Sequence, residues 1–146
     1  MTVHLIKLCV GIENVEHLAQ VQQARLDAAR ARGEKKPQLL HITRNMPRRS
    51  TEVLDGGSLY WVIKGVIQVR QRILALEQAQ RDSGEPACAI IYEPTQVRTE
   101  PRAFRAFQGW RYFPPDKAPP DLDVSAGRGA DLPPAMAAEL RDLGLL

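Results

Sequence analysis

The spacing of apolar residues changes period several times along the chain. In "TVHLIKLCVG", Val3 and Leu5 flank His4, and the run closes on apolar residues before Gly11. That alternation predicts a first strand, buried at its far end. From Asn14 the period becomes helical. Val15, Leu18, Val21, Leu26 and Ala29 share a broad stripe through "NVEHLAQVQQARLDAARARG". Asn14 is placed to cap this helix with its side-chain oxygen, and Glu16 sits at the positive end of the dipole. Arg30 and Arg32 occupy the last turn, and Gly33 ends it. "QLLHITR" reads as a strand. "NMPRRSTEVLDGG", with its proline and double glycine, reads as loop and turn, with room for a short helical turn across Ser50–Leu54.

The stretch "LDGGSLYWVIKGVIQVRQRIL", Leu54 to Leu74, obeys two periods at once. Val66, Val69, Ile73 and Leu76 suit a helix, whereas Ile67, Val69, Ile73 and Ala75 suit a strand. The aromatic and β-branched density of Ser58–Ile63 favours a pleated surface. Strands are therefore expected at 58–64 and 66–77, with Lys64-Gly65 as a bulge or bend. Asp82-Ser83-Gly84 signals a turn into a third strand, "CAIIYEP". "QVRTEPRAFRAFQGWRYF" reads as a further strand or extended arm broken by Pro101. Residues 114–132 form a proline-rich irregular arm, and "PPAMAAELRDLGLL" a short C-terminal helix. The expected fold is one α+β domain over residues 1–146. Its core would be an antiparallel meander sheet or partial β-barrel, with an N-terminal helix and a short C-terminal helix.

Composition narrows the class. A chain of 146 residues with 44% apolar and 25% charged content can bury a core without staples. No apolar run is long enough to span a bilayer. The N-terminus lacks the pattern of an export signal, so a cytoplasmic location is expected. Cys9 and Cys88 each lie in an apolar run and read as buried thiols. No Cys/His spacing points to a metal, and no cofactor is expected. Net charge is only +3, but it is segregated. Residues 41–72 carry +4 and residues 98–117 carry +3, while 73–97 and 118–146 each carry −3. If the fold unites the two basic blocks, they focus a field on one face.

Four segments together, "VHLIKLCVG", "LDGGSLYWVIKGVIQVRQRIL", "VRTEP" and "FQGWRY", resemble the domain of unknown function 1489 family, small proteins found mainly in alphaproteobacteria. The resemblance runs from Val3 to Asp121 and transfers no catalytic residue. A looser likeness, carried by the strand-rich layout and basic loops, is to PUA-like and ASCH-like domains, small β-barrels that often bind RNA.

The candidate chemistry is basic and aromatic. Arg70 and Arg72 fall on one face of a strand, because alternate side chains share a face. Tyr60, Trp61 and Lys64 lie nearby in sequence. Arg105, Trp110 and Arg111 come from the second basic block, Arg44 from the end of the second strand, and Arg48 and Arg49 from the loop after it. Arginine offers bidentate contacts to phosphate and aromatic rings offer stacking for bases. The leading expectation is a binding module for RNA or a phosphorylated small molecule. The alternative fate for these residues is a solvated sheet face with paired arginines and tryptophans packed inside. "DGGS" at Asp55–Ser58 offers backbone N–H groups to a phosphate or simply a tight turn. A second reading is a small enzyme on a phosphorylated or nucleotide substrate, with His41, Asp55 and Lys64 as acid–base groups. A third is a protein–protein adaptor that docks a partner through the proline-rich arm.

Overall fold

The computed structural model describes residues 1–122. The expected C-terminal helix and the arm beyond Leu122 lie outside the described residues. Among the described residues seven strands and two helices follow in the order β1 (His4–Leu8), α1 (Val15–Ala31), β2 (Leu39–Thr43), α2 (Ser50–Leu54), β3 (Ser58–Ile63), β4 (Val66–Gln80), β5 (Pro86–Tyr92), β6 (Val97–Ala103) and β7 (Trp110–Phe113). The architecture is α+β.

Helix α1 begins where the cap signal lies: the His17 N–H donates to Asn14 Oδ1 at 2.7 Å. Val15, Leu18, Leu26 and Ala29 are buried along its stripe. The doubly periodic stretch resolves into strands. Lys64 and Gly65 both take positive φ, 49° and 80°. Two such residues make the tight turn whose twist matches a hairpin, so they reverse the chain where a bulge or bend was expected. Strand β4 runs 15 residues and continues to Gln80.

The strands lie in the order β2-β5-β4-β3-β1-β7, and β6 also pairs with β4. Within this order β3, β4 and β5 form the expected antiparallel run. The sheet as a whole is mixed, because β1 pairs parallel to β3, Leu5 opposite Leu59 and Lys7 opposite Trp61. The meander expectation fails at this point. Residues between β1 and β3 form the crossover that a parallel pair requires. The pairing path is open, with β2 and β7 at its two ends.

Pro101 does not break the chain. It lies inside β6, where the register with β4 shifts between Ile67 and Val69. Proline is tolerated at such an irregularity because no ladder N–H is lost. The arm that follows packs back on β6: Glu100 N–H donates to Pro120 O and Leu122 N–H to Arg98 O.

Both faces of the central strands are covered. One carries Leu5, Leu59, Trp61, Ile63, Val69 and Ile90 against Leu18 and Leu26 of α1. The other carries Ile6, Tyr60, Val62 and Ile67 against Phe107 and Phe113. Every residue of β3 is buried as a result. One polar joint crosses the first layer. Gln71, fully buried, exchanges two 2.8 Å hydrogen bonds with Gln22 of α1 and accepts from Trp61 Nε1 at 2.9 Å. Buried amides satisfied this fully fix how helix and sheet meet. Gly57 is a second fixed point. A Cβ there would lie 2.2 Å from Val53 O and 2.5 Å from Val3 O, so only glycine fits where α2, β1 and β3 converge.

Candidate functional site

The loop 44–49 follows β2 at one end of the strand order, yet it is tied to β7 at the other. Trp110 Nε1 donates to Asn45 O at 3.1 Å, and the Arg49 N–H donates to the Tyr112 hydroxyl at 3.0 Å. The Trp110 and Tyr112 rings meet edge to face, 4.9 Å between centroids. Between loop and strands opens a cleft of about 800 Å³. Its described lining includes Lys7 from β1, Thr43, Arg44, Asn45, Met46 and Arg48 from the loop region, Arg81 beyond β4, and Gln108, Trp110 and Tyr112. Four of these residues are cationic, and no carboxylate is among them.

Arg44 and Arg48 are exposed, and no carboxylate among the described residues pairs with either. Arg81 reaches Glu85 at 3.2 Å, so its charge is partly offset. Lys7 is half-buried, and burial lowers its pKa. The indole of Trp110 is part-exposed, while its N–H is engaged by Asn45. The cleft therefore presents positive charge, amides and an aromatic edge, which is chemistry for a phosphate and a planar ring.

Of the residues expected from sequence, Arg44, Arg48 and Trp110 are brought together here. The others have different neighbours. Tyr60 and Trp61 are each only 4% exposed and cannot act as stacking platforms. Tyr60 packs edge-on to His4 and Phe113, and Trp61 to His41 and Tyr92. Arg70 is held by both oxygens of Asp121 at 2.8 Å and also donates to Ser58 Oγ at 3.0 Å. Arg49 is paired with Glu52 and lies over the Tyr112 ring. Arg111 lies over the Phe107 ring. Arg72 and Arg105 are exposed, but neither is among the residues lining the cleft.

The proposed acid–base trio sits in three separate networks. Lys64 pairs with Glu13 at the hairpin tip. Asp55 lies beside Thr2 and the N-terminal ammonium. His41 packs against Trp61, its pKa pushed down to about 4 by burial, with the positive charges of Lys7 and Arg25 adding to the effect. Two N–H groups of the turn "DGGS" are engaged as well: Gly57 donates to Val53 O, and Ser58 to His4 Nδ1 at 2.9 Å. Both cysteines are free thiols, and burial pushes Cys9 up to about 11, far from a thiolate.

Lys7, Arg81 and Gln108 were missed as site residues. Lys7 had a usable signal, a lone cation in an otherwise apolar strand. Arg81 had none, since its approach to the loop depends on how far β4 extends.

Among the described residues no helix is long and apolar enough to cross a membrane, and no cluster of His, Cys, Asp and Glu is grouped to hold a metal. No curated protein and no solved structure matches the chain. The family model described as Protein of unknown function (DUF1489) matches residues 5–146, and the chain belongs to that family.

Proposed function

We propose that this protein is a binding module for a phosphate-bearing ligand, RNA foremost, with the cleft beside loop 44–49 as its site. One observation carries the reading: about 800 Å³ of space whose described lining holds Lys7, Arg44, Arg48 and Arg81 and no carboxylate. Maintaining that much like charge around a cavity disfavours the empty state through mutual repulsion, and an anion relieves it. Arg44 and Arg48 supply the phosphate contacts, and Trp110 with Tyr112 supplies a ring for a base. The likeness to PUA-like RNA-binding domains belongs to this same reading.

The site differs from an acid–base centre. His41 holds a neutral imidazole but is not among the lining residues, and Asp55 and Lys64 are tied to other partners. The test is a fluorescence titration with a single-stranded RNA oligomer. Trp61 is buried, so the responsive indole is Trp110. A saturable change in emission, lost in Trp110→Phe and weakened by salt, is expected. No change across the titration, with the oligomer shown by sedimentation to remain unbound, overturns the reading.

A further inference from the structure

A second cavity, of about 700 Å³, adjoins the cleft. The two share Arg44 and Met46 as a common wall. The rest of the second lining comes from the end of the β4–β5 hairpin: Gln78, Ala79, Gln80, Pro86 and Ala87. Gln80 and Arg81 are consecutive, so the chain itself passes from one cavity to the other at the far side.

The two cavities differ in chemistry. The first gathers cations and aromatic rings. Among the described residues, the second has no aromatic ring and one cation, the shared Arg44, together with two glutamines two residues apart on β4. That spacing puts both amides on one face of the strand. Both are exposed, and neither side-chain amide has a hydrogen-bond partner among the described residues. A primary amide offers a donor and an acceptor side by side, which is what the edge of a nucleobase requires. Met46 and Pro86 supply apolar surface for the ring faces, and Met46 is 37% exposed. Each cavity falls in the size range that holds one small-molecule unit.

We infer that the ligand is a single-stranded nucleic acid of at least two nucleotides, one base in each cavity, with the phosphate between them on Arg44. The inference rests on the binding reading above and goes further in naming length and strandedness. Arg44 serves both cavities, so a mononucleotide on it fills one cavity only, and the first, with its rings and further cations, holds it without Gln78 and Gln80. A longer strand uses all three.

The experiment measures affinities for AMP, a ribo-hexaadenylate and a deoxyribo-hexaadenylate, with wild type, Arg44→Ala and the double variant Gln78→Ala/Gln80→Ala. Thermal unfolding checks that each variant is folded. At least one hexamer is expected to bind wild type at least tenfold more tightly than AMP, and the stronger of the two identifies the backbone. The glutamine double variant should lose most of that advantage while keeping the AMP affinity, and Arg44→Ala should weaken AMP and hexamer alike. Equal affinity for AMP and both hexamers, or a hexamer advantage that survives the glutamine changes, overturns this inference and leaves the binding reading standing. Failure of every ligand to bind overturns both.

Discussion

Two regions of this protein are rich in aromatic and basic residues, and they have opposite fates. Ser58–Arg72 forms the middle of the sheet, where Tyr60 and Trp61 are sealed on opposite faces and Arg70 is clamped by Asp121. The loop 44–49 and strand β7 meet at the rim, where Arg44 and Arg48 stay unpaired among the described residues beside Trp110. Composition is similar in the two places. What separates them is cover: β3 has a layer on each side, while the rim has solvent on one. A Tyr-Trp pair among arginines is therefore no sign of a site until the number of layers over its strand is known.

The comparison breaks most visibly in stability. Trp61→Ala should cost about 3–5 kcal/mol, as removal of a buried tryptophan usually does, because it opens a cavity and leaves Gln71 without one donor. Chemical denaturation would read the loss. Gly57→Ala should be of similar size or prevent folding, since the new methyl has only backbone carbonyls to displace. Trp110→Ala should cost less than Trp61→Ala, because its ring is partly in solvent and only one hydrogen bond, to Asn45, is lost. Equal losses at the two tryptophans would erase the distinction between the regions.

Acid should act on the covered region first. Burial lowers the pKa of His4 and pushes His41 down to about 4 from an ordinary 6.5. His4 must also stay unprotonated at Nδ1 to accept from Ser58. Both rings are neutral in the fold and take up protons more readily when unfolded. Stability is therefore full above pH ~6.5 and falls as pH drops toward ~4. Urea midpoints measured across that window should decline, and His41→Gln should flatten the decline. A midpoint constant from pH 7 to 4 would contradict the assignment of neutral buried rings.

The smallest expected effect is a control. Arg72→Ala removes an exposed arginine outside the cleft and should change stability by no more than about 0.5 kcal/mol. It should leave RNA affinity near the wild-type value in the same titration. A large loss of affinity there would return the site to the strand face of β4.

Much of the fold was legible because local signals agreed with one another. Asn14, the stripe of α1 and Gly33 mark one helix from three directions, and the structure keeps all three. The strand boundaries around Lys64-Gly65 were likewise readable, although a hairpin turn and a bulge look alike in one sequence. The parallel pairing of β1 with β3 was not readable, because the partners lie over 50 residues apart and no local pattern encodes which edge β1 joins. The site was legible in part for the same reason. Arg44 and Arg48 flank a proline-containing loop signal, whereas Lys7 and Arg81 join them only through the strand order and the length of β4.

The central claim is that unpaired cations at the rim hold a polyanion. Its most direct test is the salt dependence of RNA affinity for wild type and the Arg44→Ala/Arg48→Ala variant. Wild-type affinity should fall linearly on a log–log plot, and loss of two phosphate contacts to a single strand should reduce the slope by about 1.4. Identical slopes for the two proteins, or a wild-type affinity indifferent to salt, would contradict it.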